Sequence, residues 1–212
     1  MKDFSCQNIQ DFLEELGSSS PAPGGGSVSA LSAALASHLT EMVANLTIGR
    51  GKFSESQEAM IKAIQTARSL SDDFMNLAQK DTEAFNHFME ALSLPKETDA
   101  EKTIRKEAME DSLKESTLVP LEIMKLTRKL ASNSLSVVLL GNPNAITDAA
   151  VSALLAEAAG KGAALNARIN ISSISDAKFV RECSEQINAH LEDISNTVKQ
   201  VFQIVDSKLN AP

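Results

Sequence analysis

The chain has 212 residues, of which 43% are hydrophobic and 23% charged, a balance typical of a folded domain and not of a disordered segment. A formal net charge of -8 without any basic block argues against binding to nucleic acid or to an anionic membrane. The acidic, amphipathic N-terminus differs from a signal peptide, and no segment is long and apolar enough to span a membrane. We therefore predict one cytoplasmic domain over residues 1–212, with Cys6 and Cys183 as reduced thiols.

Helix-forming residues dominate the composition, whereas aromatic residues make up only 4% and neither Trp nor Tyr is present. Apolar residues recur at intervals of three and four along most of the chain, which predicts an all-α fold, a bundle of about six helices. Several helices are longer than a small isolated bundle needs, which favours a homodimer formed through helices. The predicted helices cover roughly residues 3–16, 27–48, 54–92, 98–132, 144–170 and 176–209.

The segment between the first two helices, SSSPAPGGGS at residues 18–27, is strongly non-helical. Its Gly24, Gly25, Gly26 and Ser27 open a helix, where glycines let the backbone approach a ligand closely and free N–H groups attract an anion. No Lys-Ser or Lys-Thr follows, so the segment is not a nucleotide P-loop, and no strand precedes it, so it is not a dinucleotide-binding motif. The structural alternative is a flexible hinge with a serine cap.

Asp81 interrupts the apolar seam of the long third helix. An unpaired buried carboxylate is costly, so Asp81 must be paired, hydrogen-bonded or functional, and burial would raise its pKa towards values useful for proton transfer. The alternatives are a buried structural hydrogen bond or a solvated end of the bundle. The seam steps alternately by four and three through Met60, Ile64, Ala67, Ser71, Phe74, Ala78, Asp81, Phe85, Phe88 and Leu92.

The fourth and fifth helices contain further irregularities. Pro120 falls inside the fourth helix and predicts a kink or a division into two helices. Asp148 repeats the anomaly of Asp81, because it lies on one stripe with the small and apolar residues from Val151 to Ile169, although the helix dipole also favours an acid in a first turn. In the preceding turn, Gly141-Asn142-Pro143-Asn144, Asn144 is predicted to cap the fifth helix.

Amide and imidazole side chains give weaker signals. Asn166 and Asn170 are four residues apart and therefore share one helix face, where paired amides either recognise a heterocycle or satisfy a bundle core. His38, His87 and His190 are far apart, and none has a second ligand at metal-binding spacing. We therefore predict no metal site.

Six segments, in order along the chain, carry a family pattern: SPAPGGGSV (20–28), MVANLTIG (42–49), DTEAFNHFMEALSLPK (81–96), STLVPLEI (116–123), GNPNAITDAAVSALLAEAA (141–159) and ALNARINI (164–171). Through them the chain resembles the formiminotetrahydrofolate cyclodeaminase and methenyltetrahydrofolate cyclohydrolase family over essentially its whole length. The proline-glycine run, the Asp-x-x-Ala-Phe segment and Gly-Asn-Pro-Asn-Ala-x-x-Asp are the most specific parts. The resemblance is to a stand-alone, bacterial-type cyclodeaminase domain, with no formiminotransferase domain expected beside it.

The resemblance implies an all-helical homodimer or higher oligomer that binds reduced folate in a cleft near the subunit interface. Family members either cyclise 5-formiminotetrahydrofolate to 5,10-methenyltetrahydrofolate with loss of ammonia, or hydrolyse the methenyl compound to 10-formyltetrahydrofolate. The sequence does not separate these two reactions, and no cofactor is expected beyond the folate substrate. The alternative is a folate-binding or structural helical oligomer without catalysis.

The resemblance also assigns candidate roles. A carboxylate serves both reactions by shuttling a proton and stabilising developing positive charge, with Asp81 the first choice and Asp148 the second. One of the two could instead bind the amino edge of the pterin. The substrate-binding candidates are Gly24, Gly25, Gly26 and Ser27 for N–H groups along the cleft, Asn142, Asn144 and Asn166 for the pterin, and Arg50 and Lys52 for the glutamate tail.

Overall fold

Six α-helices form the part of the chain that the computed structural model describes, residues 4–210, and no strand occurs within it. This confirms the predicted all-α class. The helices are α1 Ile9–Leu16, α2 Gly25–Asn45, α3 Gln57–Ser93, α4 Asp99–Leu140, α5 Ile146–Ile171 and α6 Ala177–Leu209. Short 3₁₀ turns lie at Phe4–Cys6, Gly51–Ser56 and Pro143–Ala145. None of the described helices is both long and apolar enough to cross a bilayer.

The helices α2 to α5 form a four-helix arrangement in which α2 contacts α3 and α5, and α4 contacts α3 and α5 from the other side. α6 packs against both α4 and α5. α2 and α5 are antiparallel: the amide of Asn166 lies beside Gly25 at one end, and Asn142 donates to the carbonyl of Leu46 at the other. The bundle therefore has two ends, about 30 Å apart along the 21-residue α2.

Small side chains fill the interface between α2, α5 and their neighbours. A Cβ atom at Gly160 would lie 2.7 Å from Ile194 of α6, so glycine is needed for this close approach. Alanines occupy most of the other inward positions of α5, which brings the helix backbones close together. The inward alanines of α5 are Ala149, Ala150, Ala153, Ala156, Ala159, Ala163, Ala164 and Ala167.

Seven large apolar side chains of α2, its C-cap and α5 point away from the bundle. The sequence pattern predicts that the stripe from Val151 to Ile169 on α5 is buried, as the α3 seam is. Within one copy of the chain this prediction is wrong, because the alanines on the opposite side of α5 form the core. We call this surface the outer face. It consists of Leu35, Met42, Leu46, Val151, Leu154, Leu165 and Ile169, all between 37% and 67% exposed.

The seams of α3 and α6 match their predictions. The α3 seam is buried at Met60, Ala67, Ser71, Phe74 and Ala78, and it emerges from the core at Asp81. In α6, apolar residues at intervals of three and four pack into the core against α4 and α5. The fully buried members of the α6 seam are Ile187, Ile194, Val198, Val201 and Val205.

α4 passes through Pro120 without dividing, and it ends at Leu140, later than the predicted residue 132. Pro120 cannot donate a backbone hydrogen bond to the carbonyl of Ser116, one turn earlier. The side-chain amide of Asn170 in α5 donates to that carbonyl at 2.8 Å and supplies the missing partner. Of the two predicted alternatives, a kink or a division, the division is wrong, because a tertiary contact satisfies the group that proline leaves free.

Two predicted helix starts also differ. The first helix divides into the 3₁₀ turn Phe4–Cys6 and α1, since the Asn8 side chain caps α1 by accepting from the Asp11 N–H at 2.9 Å; residue 3 lies outside the described residues. Asn144 does not cap α5. Instead, the Asn142 side chain accepts from the Asn144 N–H at 3.2 Å and opens a 3₁₀ turn that leads into α5.

Candidate functional site

A cleft of about 330 Å³ opens where the N-terminus of α2 meets α3, α4 and the C-terminal end of α5. It contains one carboxylate, that of Asp81, among apolar side chains, glycines and polar amides. It brings together the predicted residues Gly24, Gly25, Gly26, Asp81 and Asn166. Its lining comprises Pro21, Ala22, Gly24, Gly25, Gly26, Asp81, Phe85, Phe88, Leu113, Ser116, Asn166, Ile169 and Asn170.

The first turn of α2 holds the Asp81 carboxylate. Oδ2 of Asp81 accepts a hydrogen bond from Oγ of Ser27 at 3.0 Å, and the backbone N–H of Ser27 also donates to the carboxylate. The Ser27 hydroxyl is fully buried and lies within hydrogen-bonding distance of the Ala78 carbonyl and the Thr82 hydroxyl. The serine-cap alternative is wrong, because Gly24 is the N-cap of α2 and makes no side-chain capping bond.

Gly26 is required by the position of Asp81. A Cβ atom at residue 26 would overlap the Asp81 carboxylate, so only glycine allows α2 and α3 to approach this closely. At Gly25, a Cβ atom would lie 3.2 Å from the Asn166 amide nitrogen. The glycine run therefore serves close contact between the protein's own groups, in addition to lining the cleft.

Burial raises the pKa of the Asp81 carboxyl above its usual value. The hydrogen bonds from the Ser27 side chain and backbone act in the opposite direction, because they stabilise the ionised form. Asp81 is thus a carboxyl whose protonated form is more accessible near neutral pH than that of an exposed aspartate. That is the property that a proton-transfer group needs.

The remaining walls of the cleft are of two kinds. Phe85, Phe88 and Leu113 form an apolar side, continuing the α3 seam beyond Asp81. The polar side contains Asn166, whose amide donates to the Gly162 carbonyl at 2.9 Å, and Asn170, whose amide is held by the Ser116 carbonyl. Such walls suit a flat ring system with polar edges.

Five predicted site residues lie at the opposite end of the same protomer: Arg50, Lys52, Asn142, Asn144 and Asp148. Arg50 and Lys52 follow the C-terminus of α2, and both are exposed. Asn144 is exposed and Asp148 is half-buried at the start of α5. Asp148 and Asn166 are 18 residues apart on α5, so the residues at the far end lie about 25 Å from the cleft. One copy of the chain does not bring Asp148 to Asp81.

Asn142 has a structural role at that far end. It is 4% exposed, its backbone N–H donates to the Thr47 hydroxyl at 2.8 Å, and its amide donates to the Leu46 carbonyl. Its amide oxygen accepts from the Asn144 N–H. These bonds join the end of α2 to the start of α5, and a contact of Asn142 with substrate stays a prediction.

Sequence reasoning did not assign Phe85, Phe88, Ser116, Ile169 and Asn170 to the site. Phe85 and Phe88 were visible as the continuation of the seam after Asp81, and Asn170 as the partner of Asn166 on one face. Ser116 and Ile169 had no distinguishing signal, because their roles depend on how α4 and α5 meet the cleft.

Other parts of the described chain have less chemistry to offer. A larger cavity of about 470 Å³ lies between α1 and α2, but its lining contains no titratable group. Two open grooves of about 610 and 540 Å³ are lined by charged side chains that are mostly exposed to solvent. No cluster of three or more His, Cys, Asp or Glu side chains that could hold a metal occurs among residues 4–210. The Asp81 cleft is therefore the candidate active site.

Comparisons with known proteins identify the family to which the chain belongs. The family model for formiminotransferase-cyclodeaminase matches residues 8–189. The methenyltetrahydrofolate cyclohydrolase of Methylorubrum extorquens is 34% identical over 204 residues, covering 96% of this chain and 98% of that protein. The formimidoyltransferase-cyclodeaminase of Gallus gallus is 32% identical over 207 residues, covering 98% of this chain, which spans 38% of that longer protein.

A solved structure supports the fold in particular. The formiminotetrahydrofolate cyclodeaminase of Thermotoga maritima superposes with a TM-score of 0.88, covering 97% of this chain and 98% of that one, at 24% sequence identity. The whole described bundle, including the elements that form the cleft, thus follows a known architecture. Together with the family match and the 34% identity, it shows that the chain belongs to the formiminotransferase-cyclodeaminase family.

Proposed function

We propose that the protein is an enzyme of one-carbon folate chemistry that acts on the carbon joining N5 and N10 of tetrahydrofolate. The observation that carries this proposal is Asp81, a carboxyl with a raised pKa in the cleft of a chain from this family. The cyclohydrolase and cyclodeaminase names of the relatives give the substrate class. The two reactions share 5,10-methenyltetrahydrofolate, as the substrate of one and the product of the other.

Asp81 can serve either reaction. In cyclohydrolysis, ionised Asp81 accepts a proton from the water that attacks the cationic methenyl carbon. Asp81 then returns that proton to N5 as the C–N5 bond breaks, and the intermediate's hydroxyl proton is released to solvent, which gives neutral 10-formyltetrahydrofolate. In cyclodeamination, N10 attacks the formimino carbon and its proton passes to the formimino nitrogen. Protonated Asp81 gives a second proton to that nitrogen, which leaves as ammonia as the methenyl cation forms. Both are proton transfers without a change of oxidation state, so we propose that no cofactor is needed.

The order of groups along α3 fits a folate. Asp81, Phe85 and Phe88 follow one another along α3 at steps of four and three residues, and all three line the cleft together with Leu113, Asn166 and Asn170. We place the pteridine ring near Asp81 and Asn166, and the aminobenzoyl ring against Phe85 and Phe88, which supply the aromatic contact in a chain without Trp or Tyr.

We further propose that the protein is a homodimer whose outer faces pack together. The outer face exposes seven large apolar side chains on two adjacent helices, which is unusual for a surface in contact with water. Ile169 belongs both to this face and to the cleft lining, so the face continues into the cleft. A two-fold axis perpendicular to α2 and α5 would bring the partner's far end to the cleft.

This arrangement would unite the separated site residues. The end that contains Asn144, Asp148, Arg50 and Lys52 lies about 25 to 30 Å from Asp81 in one copy, roughly the length of α2. Inverting the second copy places its far end opposite the first copy's cleft. Each site would then use Asp81 from one protomer and Asp148 from its partner.

The first experiment follows the near-ultraviolet absorbance of 5,10-methenyltetrahydrofolate with and without the purified protein. Accelerated loss of absorbance identifies a cyclohydrolase. If there is none, formation of the same absorbance from 5-formiminotetrahydrofolate, with release of ammonia, identifies a cyclodeaminase. Failure of both assays would refute the proposed activity and leave a non-catalytic member of the family.

The shared site is tested by co-expressing Asp81→Asn and Asp148→Asn chains with different affinity tags. If each site takes one residue from each protomer, mixed dimers contain one intact site, and a random mixture recovers about a quarter of the wild-type activity. Homodimers of either variant serve as controls. If both variants are inactive alone and the mixed dimers are inactive too, the two residues do not come from opposite protomers.

A further inference from the structure

Two hydroxyl groups behind the cleft anchor the Asp81 carboxylate. Ser27 Oγ lies 3.0 Å from Oδ2 of Asp81, and the Thr82 hydroxyl lies 3.2 Å from Ser27 Oγ. Ser27 is fully buried and Thr82 is 6% exposed, and neither of them lines the cleft. Their hydroxyl groups can therefore act on a ligand in the cleft only through Asp81.

The number of available protons fixes the direction of hydrogen bonding between these groups. A hydroxyl carries one proton, and Ser27 Oγ faces two groups that only accept, the ionised Asp81 carboxylate and the Ala78 carbonyl at 3.1 Å. The Ser27 proton is used on one of these two, so Thr82 is the donor in the bond between the two hydroxyls. Donation by Thr82 makes Ser27 a stronger donor, because hydrogen bonds in a chain polarise one another.

The charge of Asp81 decides which acceptor Ser27 uses. A hydrogen bond to an ionised acceptor is roughly twice as strong as a neutral one, so ionised Asp81 holds the Ser27 proton. Once Asp81 is protonated, the Ala78 carbonyl competes for the same proton from nearly the same distance. The two hydroxyls therefore stabilise the ionised carboxyl more than the protonated one, and they oppose the effect of burial on the pKa of Asp81.

The same contacts make the two oxygens of the carboxylate unequal. Oδ2 accepts from the Ser27 hydroxyl, whereas no side chain of the described residues donates to Oδ1. Oδ1 lies against Gly26, which lines the cleft and has no side chain that could cover this oxygen. Oδ1 is therefore the oxygen left for exchange of a proton with the substrate.

We propose that Thr82 and Ser27 are positioning residues for proton transfer, forming a donor chain that fixes Oδ2 of Asp81 and leaves Oδ1 to carry the exchanged proton. This inference rests on the proposed function. In cyclohydrolysis, Oδ1 takes a proton from water and returns it to N5. In cyclodeamination, it gives its proton to the departing nitrogen. The two hydroxyls keep their own protons throughout, so they are not catalytic residues.

Titration of the Asp81 carboxyl tests the inference without requiring turnover. In protein labelled with carbon-13 at the aspartate carboxyl, the NMR signal of Asp81 is identified by its absence from Asp81→Asn and followed against pH. Ser27→Ala removes the donor to Oδ2 and should raise the pKa of Asp81 by about one unit. Thr82→Val acts only through Ser27 and should raise it by about half a unit. Thr82→Ser keeps the hydroxyl and should keep the wild-type titration.

Combining the substitutions shows whether Thr82 acts through Ser27. Ser27→Ala/Thr82→Val should titrate as Ser27→Ala does, because residue 27 then has no hydroxyl for Thr82 to polarise. Thr127→Val is the matched control. Thr127 is fully buried, and its hydroxyl donates to the Ile123 carbonyl at 2.7 Å, so this variant should leave the Asp81 titration unchanged.

The pH profile of kcat/KM gives a second readout. Cyclohydrolysis needs the ionised carboxyl, so the acid limb of its profile should move to higher pH in Ser27→Ala and Thr82→Val. Cyclodeamination needs the protonated carboxyl, so the alkaline limb of its profile should move to higher pH in the same variants. Loss of activity with both limbs unmoved would indicate a structural effect alone and would contradict the inference.

The inference is overturned if Ser27→Ala or Thr82→Val leaves the Asp81 titration unchanged, if Thr82→Ser behaves as Thr82→Val does, or if the two shifts simply add. An equal shift in Thr127→Val would overturn it as well. If the titration moves as expected but neither folate assay detects a reaction, the proposed activity fails and the donor chain stands. If turnover is normal and the titration is unmoved, the donor chain fails and the proposed activity stands.

Discussion

Two pairs of helices use opposite ways to build this bundle. α3 and α6 place large side chains such as Phe74 and Ile187 in the core and polar ones outside. α2 and α5 bury alanine, glycine and serine, and expose leucine, isoleucine and valine. The first pair buries most of its large apolar side chains within one chain, whereas the second leaves an apolar surface exposed.

The difference explains where the candidate site lies. Small residues at the start of α2 let its backbone approach α3, so that Ser27 can hold Asp81 and Gly26 can pass beside it. Most large apolar residues of these helices take no part in the core and lie on the outer face. Both features follow from the same pattern on α2 and α5. Their small residues face inward and allow the close approach that forms the site, and their large residues face outward and form the outer face.

The largest effect on activity is expected for Asp81→Asn, where α3 contacts the first turn of α2. Loss of the proton-transfer group should lower kcat about 10²–10⁴-fold in whichever folate assay is positive. Asp73→Asn, on the exposed side of the same helix, should leave kcat unchanged. Activity of Asp81→Asn within a few-fold of wild type would show that Asp81 is not the proton-transfer group.

The same variant has a predictable effect on stability. The folded-state pKa of Asp81 is raised, so between the unfolded and folded pKa values the folded protein binds more protons than the unfolded one. Stability from this group is therefore present at low pH and lost as pH rises. Asp81→Asn should be at least as stable as wild type at pH 7 by urea unfolding, with the difference shrinking on acidification.

Matched truncations in α6 and α5 test the two packing modes directly. Ile187→Ala, at a position that is 1% exposed, should cost about 2–5 kcal/mol of unfolding free energy. Leu165→Ala, at a position that is 66% exposed, should change the stability of an isolated protomer by only about 0.5 kcal/mol. Its effect should appear as weaker self-association in sedimentation velocity.

Two results would contradict this contrast. Equal and concentration-independent destabilisation by both variants would mean that Leu165 is packed within its own protomer. Self-association unchanged by Leu165→Ala, together with a monomeric wild-type protein, would mean that the outer face is not a dimer interface.

Gly26→Ala tests the close approach of α2 to α3. The added methyl group would overlap the Asp81 carboxylate, so we expect about 1–3 kcal/mol of destabilisation from overpacking, partly offset by the helix propensity of alanine. Displacement of Asp81 should also reduce kcat. Gly51→Ala, where no atom lies within 4 Å of the added Cβ, is the control. Equal behaviour of the two variants would show that Gly26 is not needed for the contact.

A further test concerns Asn170 and Pro120, where the coupling between two substitutions is measured. Asn170→Ala leaves the Ser116 carbonyl without its donor, at an expected cost of about 1 kcal/mol. Pro120→Ala restores a backbone N–H to that carbonyl, so the double variant should lose less from Asn170→Ala than the wild type does. Urea unfolding of the four proteins gives the coupling energy. Strict additivity would mean that Asn170 does not compensate for Pro120.

Sequence by itself determined the features that depend on periodicity and local chemistry. The all-helical class, the α6 seam and the α3 seam follow from spacings of three and four, because each of these helices has only one apolar side. Asp81 could be recognised as an anomaly for the same reason, because it is a carboxylate in an otherwise apolar seam. The Gly-Asn-Pro-Asn turn precedes α5 as predicted, whereas the helix before it extends to Leu140 and not only to residue 132.

Only the tertiary structure decided which side of α2 and α5 faces inward, since both sides are apolar and alanine and leucine differ in size more than in hydrophobicity. It also decided that α4 continues through Pro120, because the compensating donor, Asn170, is 50 residues away in sequence. Finally, it separated Asp148 from Asp81, because two positions that share a pattern lie at opposite ends of helices about 30 Å long.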